Sequence, residues 1–230
     1  LIFSFCMINV AARYPRNVVT SWLSLAIRTM LVLIINPVII SSLGQERYGV
    51  WALIFSIINY LSICDLGVQQ GLNRFISKYL SRGESERINA VLNNSFRFFS
   101  LIAAAIMILS AAIAFSALDI FEIPENIVPE ARAVMLIVGL NTAVNFLMIP
   151  WSGTLGAFHR YDLANYVAVA EDLFRSVTAL LVLFSGGGIV SLAIVYLVFT
   201  FLRVVFSAVL LKMVVPSLRF QPRSRGADSR

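Results

Sequence analysis

The stretch from residue 18 to residue 43 reads VVTSWLSLAIRTMLVLIINPVIISSL and contains a single charged side chain, Arg28. As a helix it would be about 39 Å long at roughly 1.5 Å per residue, more than the roughly 30 Å thickness of a bilayer's hydrocarbon core. Five further apolar stretches follow, at residues 48–71, 96–118, 133–158, 164–184 and 189–215. The sequence therefore predicts an all-α, polytopic membrane protein of about six transmembrane helices.

Composition excludes an ordinary water-soluble domain. Of the 230 residues, 59% are hydrophobic and 13% are charged, and the mean hydropathy is +0.86. A typical soluble domain carries about 25% charged residues, so the lipid bilayer is predicted to be the main solvent. The two cysteines and the single histidine form no ligand cluster in the sequence, so no metal site, disulfide or cofactor is predicted.

Lysine and arginine residues are distributed unequally between the two sides of the predicted spans. With the N-terminus inside, thirteen lie on the cytoplasmic side and only two, Arg47 and Arg132, lie outside. This bias follows the positive-inside rule, so the net charge of +6 indicates topology and not nucleic-acid binding. We expect residues 1–16 to be a cytoplasmic N-terminus, residues 17–215 a six-helix bundle, and residues 216–230 a cytoplasmic tail or the start of an interlobe linker.

The connections between the spans have distinct compositions. Residues 44–47 are predicted to form a tight turn, and residues 185–188 an uncharged hairpin. Residues 74–94 carry apolar side chains at helical spacing, which predicts an amphipathic segment on the membrane surface, broken near Gly83. The acidic loop at residues 119–130 is predicted to be external.

Arg28 lies on a polar stripe within the first span. Asn17, Ser21, Ser24 and Arg28 recur at spacings of three and four residues, which places them on one helix face. Arg28 is about 15 Å into the span at roughly 1.5 Å per residue, where an unpaired arginine costs on the order of several kcal/mol. Either the stripe is a cationic cavity wall that binds an anionic substrate through Ser21, Ser24 and Arg28, or Arg28 forms a structural ion pair between helices.

The last two spans also contain ionisable residues. Glu171, Asp172 and Arg175 lie two or three turns into the fifth span, and the i,i+4 spacing of Glu171 and Arg175 predicts a local ion pair. The alternative is proton or cation coupling through Glu171 or Asp172. Arg203, near the middle of the sixth span, has the same two interpretations as Arg28: a substrate contact in a cavity, or a structural partner.

Asp65 and Arg74 lie around the cytoplasmic end of the second span. Asp65 is either a helix-end residue near lipid headgroups or a carboxylate for gating or ion coupling. Arg74 is expected at the interface, where it contacts lipid phosphate or the substrate. In the fourth span, Asn141 and Asn145 are spaced i,i+4, which predicts hydrogen bonds between helices.

Motifs of common enzyme active sites are missing from the sequence. There is no nucleotide-binding P-loop, no G-x-S-x-G and no H-E-x-x-H. The chain is therefore predicted not to be an enzyme.

Several short motifs together resemble one family. Residues 42–51, SLGQERYGVW, resemble the turn between the first two helices of polysaccharide-type flippases in the multidrug/oligosaccharidyl-lipid/polysaccharide exporter superfamily, which includes bacterial O-antigen and teichoic-acid exporters. Tyr60, residues 65–67 (DLG) and residues 74–76 (RFI) resemble the end of the family's second helix. Residues 156–165 and 186–189 resemble its passage into the fifth helix and its hairpin before the sixth.

The resemblance implies a fold of two six-helix lobes around a central cavity, of which this chain carries the N-terminal one. It implies that an undecaprenyl-diphosphate-linked oligosaccharide is flipped across the bacterial cytoplasmic (inner) membrane, for assembly of O-antigen lipopolysaccharide or a related surface polysaccharide. Arg28 would supply positive charge for the diphosphate. A second lobe, or a partner chain that replaces it, is then expected.

Two other functions remain open from the sequence. A drug/cation antiporter of the same superfamily would depend on Asp65, Glu171 or Asp172 and not on Arg28. A non-transporting membrane scaffold would depend on none of these residues.

Overall fold

The computed structural model describes residues 10–62, 68–117, 121, 123–157 and 161–214. These residues form seven α-helices and no β-strand, which confirms the all-α class. The helices are α1 (Val10–Leu43), α2 (Gln45–Ser62), α3 (Val68–Ser81), α4 (Ser85–Ala112, continued by a π-helical turn, Ile113–Ala117), α5 (Val128–Ala157), α6 (Tyr161–Phe184) and α7 (Ile189–Val214).

Four of the described helices are long and apolar enough to cross a membrane, which makes the chain a multi-pass membrane protein. Their apolar parts lie at residues 18–43, 86–116, 128–151 and 189–209. Helix α6 does not meet this standard because three charges cluster at residues 171–175, and α2 does not because its first three residues are polar. The count of six spans therefore stays a prediction.

One end of the lobe holds its main hydrophobic core. The C-terminal ends of α1, α4 and α6 meet the N-terminal ends of α2, α5 and α7 there. The most buried members of this main core include Ile39, Ile54, Ala131, Val134, Met135, Ile189 and Leu192. At its rim, Arg47 Nε and Nη2 donate hydrogen bonds to the two carboxylate oxygens of Glu130, both at 3.1 Å. These interactions join α2 to α5 at the edge of the main core.

Helix α5 is central and α1 is peripheral. Helix α5 packs against α2, α3, α4 and α7, and 50% of its most apolar stretch is buried. Helix α1 packs mainly against α6, and only 17% of its corresponding stretch is buried. The buried side chains of α1 that join the main core are all near its C-terminal end: Ile35, Ile39 and Leu43. Most of α1 therefore faces away from the described lobe.

The segment predicted to lie on the membrane surface is a pair of packed helices. The predicted break near Gly83 is confirmed, because α3 ends at Ser81, Gly83 has φ of 70° and α4 begins at Ser85. Leu72 and Ile76 of α3 pack against Ile88 and Leu92 of α4, and α3 also packs against α5. Protein therefore covers much of this apolar face, and the location of the segment on the membrane surface stays a prediction.

The predicted tight turn at residues 44–47 is shorter than expected. Gly44 alone separates α1 from α2, and residues 45–47 belong to the first turn of α2. Gly44 has φ of 79°, in the left-handed region that glycine adopts without steric cost, and its N–H donates to the carbonyl oxygen of Ile40 at 3.0 Å. The two helices are therefore connected almost without a loop.

Candidate functional site

Two adjacent carboxylates on α6 organise a network of charges inside the lobe. Asp172 Oδ2 lies 2.8 Å from Arg28 Nε of α1, and Asp172 Oδ1 accepts a hydrogen bond from Arg175. Glu171 lies 3.3 Å from Arg175 Nη1 and 3.4 Å from Arg203 Nε of α7. We call these five residues the charged network; it joins α1, α6 and α7.

The charged network contains three arginines and two carboxylates, so it carries one excess positive charge. Glu171 is only 8% exposed, and the charges lie along helices that cross the membrane or pack against ones that do. Ions in such surroundings persist only when partners compensate them. Each carboxylate here contacts two arginines, whereas the side chain of Arg28 is 45% exposed. The surplus charge is therefore most accessible at Arg28.

Helix α5 contributes polar groups to the same network. Arg203 Nη2 donates a hydrogen bond to Asn145 Oδ1, and Asn145 Nδ2 donates to the backbone oxygen of Asn141 at 2.8 Å. The hydrogen bond between α7 and α5 confirms the interhelical bonding predicted for Asn145. It also fixes Arg203 between a carboxylate and an amide, so this arginine is a structural partner in the described conformation.

A cavity of about 250 Å³ opens beside the charged network. Arginine, carboxylate, amide and aliphatic side chains line it together: Arg28, Leu31, Val32, Ile35, Asn36, Asp172, Arg175, Ser176 and Tyr196. Such a mixture of charge and apolar surface suits an amphiphilic anion, because guanidinium groups bind phosphate or carboxylate while the aliphatic wall accepts hydrocarbon.

Tyr196 was missed by the sequence interpretation. The Arg175 guanidinium lies over its ring at 4.8 Å from the centroid, and Trp51 and Phe55 of α2 pack against the ring at 5.7 and 6.0 Å. This cation–π contact holds Arg175 toward the cavity. The available signal was spacing, since Tyr196 precedes Arg203 by seven residues and so lies on the same side of α7 two turns earlier.

An apolar groove of about 320 Å³ lies between α6 and α7, and none of its lining residues lines the cavity. Phe174, Phe199 and Phe206 line it together with the stems of Glu171 and Arg203. The ion pair between Glu171 and Arg203 therefore lies beside an apolar surface.

The predicted polar stripe of α1 is divided between two roles. Ser21 Oγ accepts a hydrogen bond from Asn165 Nδ2 of α6 at 2.9 Å, and Ser24 Oγ donates to the backbone oxygen of Ser21 at 2.9 Å. Ser24 is buried, and neither serine lines the cavity. These serines therefore lie at the contact between α1 and α6, and Arg28 is the stripe residue that lines the cavity.

The remaining predicted residues lie elsewhere. Arg74 is exposed on α3, whose neighbours are α4 and α5, so it is separate from the charged network. Asp65 lies outside the described residues. The predicted pair between Glu171 and Arg175 is confirmed. For Arg28, the structural ion pair is confirmed, because its side chain pairs with Asp172. The same side chain lines the cavity, and its binding of an anionic substrate stays a prediction.

Comparison with known proteins identifies the family. The MatE family profile matches residues 20–181, which is more than half of the chain. A relative described as the uncharacterized membrane protein EpsK of Bacillus subtilis (strain 168) is 26% identical over 146 residues, which is 64% of this chain and 29% of that protein. The match thus spans less than a third of that relative, and no solved structure matches the chain. With its multi-pass helical fold and a charged cavity among its helices, the chain belongs to the MatE family of membrane transporters.

Proposed function

We propose that the chain is one lobe of a transporter that flips a lipid-diphosphate-linked oligosaccharide across the bacterial cytoplasmic membrane for surface polysaccharide assembly. The observation that carries this proposal is the cavity lined by Arg28 and Arg175, beside a network with one excess positive charge. A cavity for a cation would need carboxylates free of arginine, whereas Glu171 and Asp172 each contact two arginines.

The chemistry of the substrate matches the cavity wall. A diphosphate crossing a membrane requires fixed positive charge at depth, and a guanidinium can bind phosphate through two parallel hydrogen bonds. Arg28 is the most exposed arginine of the network, and Leu31 and Val32 lie beside it on the same cavity wall. An isoprenoid chain such as that of undecaprenyl diphosphate would then extend along this wall into the bilayer.

A second lobe is part of the same proposal. Large apolar side chains of α1, including Trp22, Leu23 and Leu33, are mostly exposed on the described lobe, and Arg28 lies on the same helix. A facing lobe, on this chain or on a partner chain, would enclose the cavity and leave only the outer surface to lipid. Rocking of one lobe against the other would then expose Arg28 to each side in turn.

We propose that both chain termini and the α3–α4 turn are cytoplasmic. The connections between α1 and α2 and between α6 and α7 lie at the end of the main core. The α3–α4 turn lies at the other end of α4 and is flanked by Lys78, Arg82 and Arg87. In a variant without Cys6 and Cys64, Glu125→Cys should react with an impermeant thiol reagent added outside cells. Glu84→Cys should react only after the cells are opened, and the reverse pattern would invert the orientation.

The central experiment replaces Arg28. In an exporter-null strain that supplies the second lobe, Arg28→Ala should abolish surface polysaccharide, because the cavity loses its most accessible positive charge. Arg28→Lys should restore part of the export, since it keeps the charge but loses the planar donor pair. Surface polysaccharide is measured by immunoblot, and membrane levels of each variant are measured in parallel.

A matched control shows whether the loss of export is specific to Arg28 or follows the removal of any arginine. Arg82→Ala removes the same charge from the exposed α3–α4 turn and should export as the parent does. If Arg28→Ala exports normally while Glu171→Gln and Asp172→Asn abolish transport, the drug/cation antiporter is the better explanation. If none of the three changes affects export, the scaffold function is favoured.

A further inference from the structure

We propose that Asp172 is an internal counter-ion that occupies the place of the substrate's phosphate on Arg28, so that substrate binding releases α1 from α6. This inference rests on the proposed function, because it names the group that an anionic substrate must displace. It assigns Asp172 a positioning role in competition with the substrate, in place of the ion coupling predicted from the sequence.

The geometry of Asp172 is that of a bridging anion. One carboxylate oxygen contacts Arg28 and the other contacts Arg175, and all three side chains line the same cavity. A phosphate group entering that cavity would offer the same kind of acceptor oxygen with more negative charge, so it would compete directly for Arg28. Since nearly half of the Arg28 side chain is exposed, an incoming anion can reach it without prior opening of the lobe.

The exchange leaves no charge without a partner. When Arg28 turns to the substrate, Asp172 keeps its contact with Arg175, and Arg175 also keeps Glu171. Removal of one member of an isolated buried ion pair is strongly unfavourable, but here the carboxylates share arginines. The role of Glu171 is therefore different, since it holds Arg175 and Arg203 and does not contact Arg28 in the described conformation.

Release of Arg28 affects α1 more than any other helix. The polar contacts described above between α1 and α6 are the Arg28–Asp172 pair and the hydrogen bond from Asn165 to Ser21. The buried apolar contacts of α1 are concentrated at Ile35, Ile39 and Leu43, near its other end. Loss of the ion pair thus frees the part of α1 around Arg28, while its C-terminal end, which includes Ile35 of the cavity wall, stays packed.

The first experiment measures binding to the purified 230-residue chain in detergent, with farnesyl diphosphate and inorganic pyrophosphate as probes. Asp172→Asn removes the competing charge at nearly constant volume, so both probes should bind about tenfold more tightly than to the parent chain. Glu171→Gln should give a smaller gain, because Glu171 does not contact Arg28. Glu125→Gln removes the same charge in the exposed connection before α5 and should bind as the parent does.

The outcomes separate the two proposals. If neither the parent nor Asp172→Asn binds farnesyl diphosphate, the proposed function fails and this inference fails with it. If the parent binds and Asp172→Asn binds equally or more weakly, only the counter-ion role is overturned. If Asp172→Asn binds pyrophosphate more tightly than the parent does but binds farnesyl diphosphate equally, the arginines bind a free anion and not a lipid-linked one. That result also overturns the inference.

A second measurement begins with the charged network intact. In a variant without Cys6 and Cys64, spin labels at Thr29→Cys on α1 and Val177→Cys on α6, both exposed positions, report the separation of the two helices. Farnesyl diphosphate should lengthen the distance between the labels, and the same labels with Asp172→Asn should show the longer distance without ligand. A distance that stays constant on saturation of the parent chain would refute the release of α1.

Discussion

The two ends of this lobe are held together by different interactions. At the end with the main core, six helix ends meet and side chains such as Ile54 and Leu192 are completely buried. In the half that contains the charged network, α1, α6 and α7 are joined by arginine–carboxylate pairs, and large apolar side chains such as Trp22 and Phe206 are exposed. The main-core end is thus packed, whereas α1, α6 and α7 are connected by charges at the other end, beside two smaller apolar clusters of α3, α4 and α5.

This difference indicates which half can rearrange. In a bilayer, exposure of apolar side chains to lipid is not penalised, so helix association depends on close packing and polar contacts. Close packing has one good arrangement and resists movement, whereas an ion pair can exchange its partner for a ligand. We infer that the main core acts as a fixed base and that the end with the charged network is the part that can change conformation.

The largest effect is expected from a cavity in the main core. Leu192→Ala should lower the free energy of unfolding by about 2–4 kcal/mol, because Leu192 is fully buried and the surrounding helices close the gap only in part. Leu33→Ala changes the same side chain on α1, where it is 63% exposed, and should cost well under half as much. Denaturant unfolding of both variants in the same detergent measures the two free energies. Equal losses of unfolding free energy would mean that Leu33 on α1 is as tightly packed as Leu192 in the main core.

A smaller effect is expected at the contact between α4 and α5. A Cβ atom on Gly139 would lie 2.6 Å from Ser110 Cβ and would also collide with Ser110 Oγ. Gly139→Ala should therefore destabilise the chain by about 1–3 kcal/mol through overpacking. Adding Ser110→Gly should recover part of this loss, because it removes the colliding atoms. If the losses of the two single variants simply add in the double variant, the collision with Ser110 is not the cause of the destabilisation.

The smallest effect is expected at the rim, where Arg47 pairs with Glu130. The hydrogen bonds and charge of Glu130 raise the pKa of Arg47, but both side chains are accessible to solvent. Arg47→Lys should lower the thermal midpoint only slightly, and the difference from the parent should shrink further in high salt because exposed pairs are screened. A loss as large as that of Leu192→Ala would mean that charge also determines the stability of the packed end.

Helix positions and local pairs could be predicted from the sequence. The span predicted at residues 189–215 corresponds to α7, which ends at Val214, because an apolar run of membrane length is a direct signal. The pair of Glu171 and Arg175 was predictable for a similar reason, since helical spacing fixes which side chains on one helix can meet.

Contacts between helices could not be predicted in the same way. The sequence offered an interhelical ion pair for Arg28 but no partner, because the choice of Asp172 depends on how α1 packs against α6. The apolar face of α3 has the same spacing whether lipid or protein covers it, so periodicity alone could not predict that α3 packs against α4 and α5. Tyr196 is an uncharged residue in an apolar span, so the sequence did not mark it as part of the site, although the Arg175 guanidinium lies over its ring.

The single glycine between α1 and α2 makes α1 a lever. Gly44 lies next to Leu43, which is packed in the main core, whereas Arg28 is about 22 Å farther along the same helix at roughly 1.5 Å per residue. A tilt of about 10° at the Gly44 end would carry Arg28 through about 4 Å at that radius, more than the 2.8 Å that separates it from Asp172. A tilt that hardly moves Leu43, next to Gly44, is thus large enough to separate the arginine from its internal carboxylate.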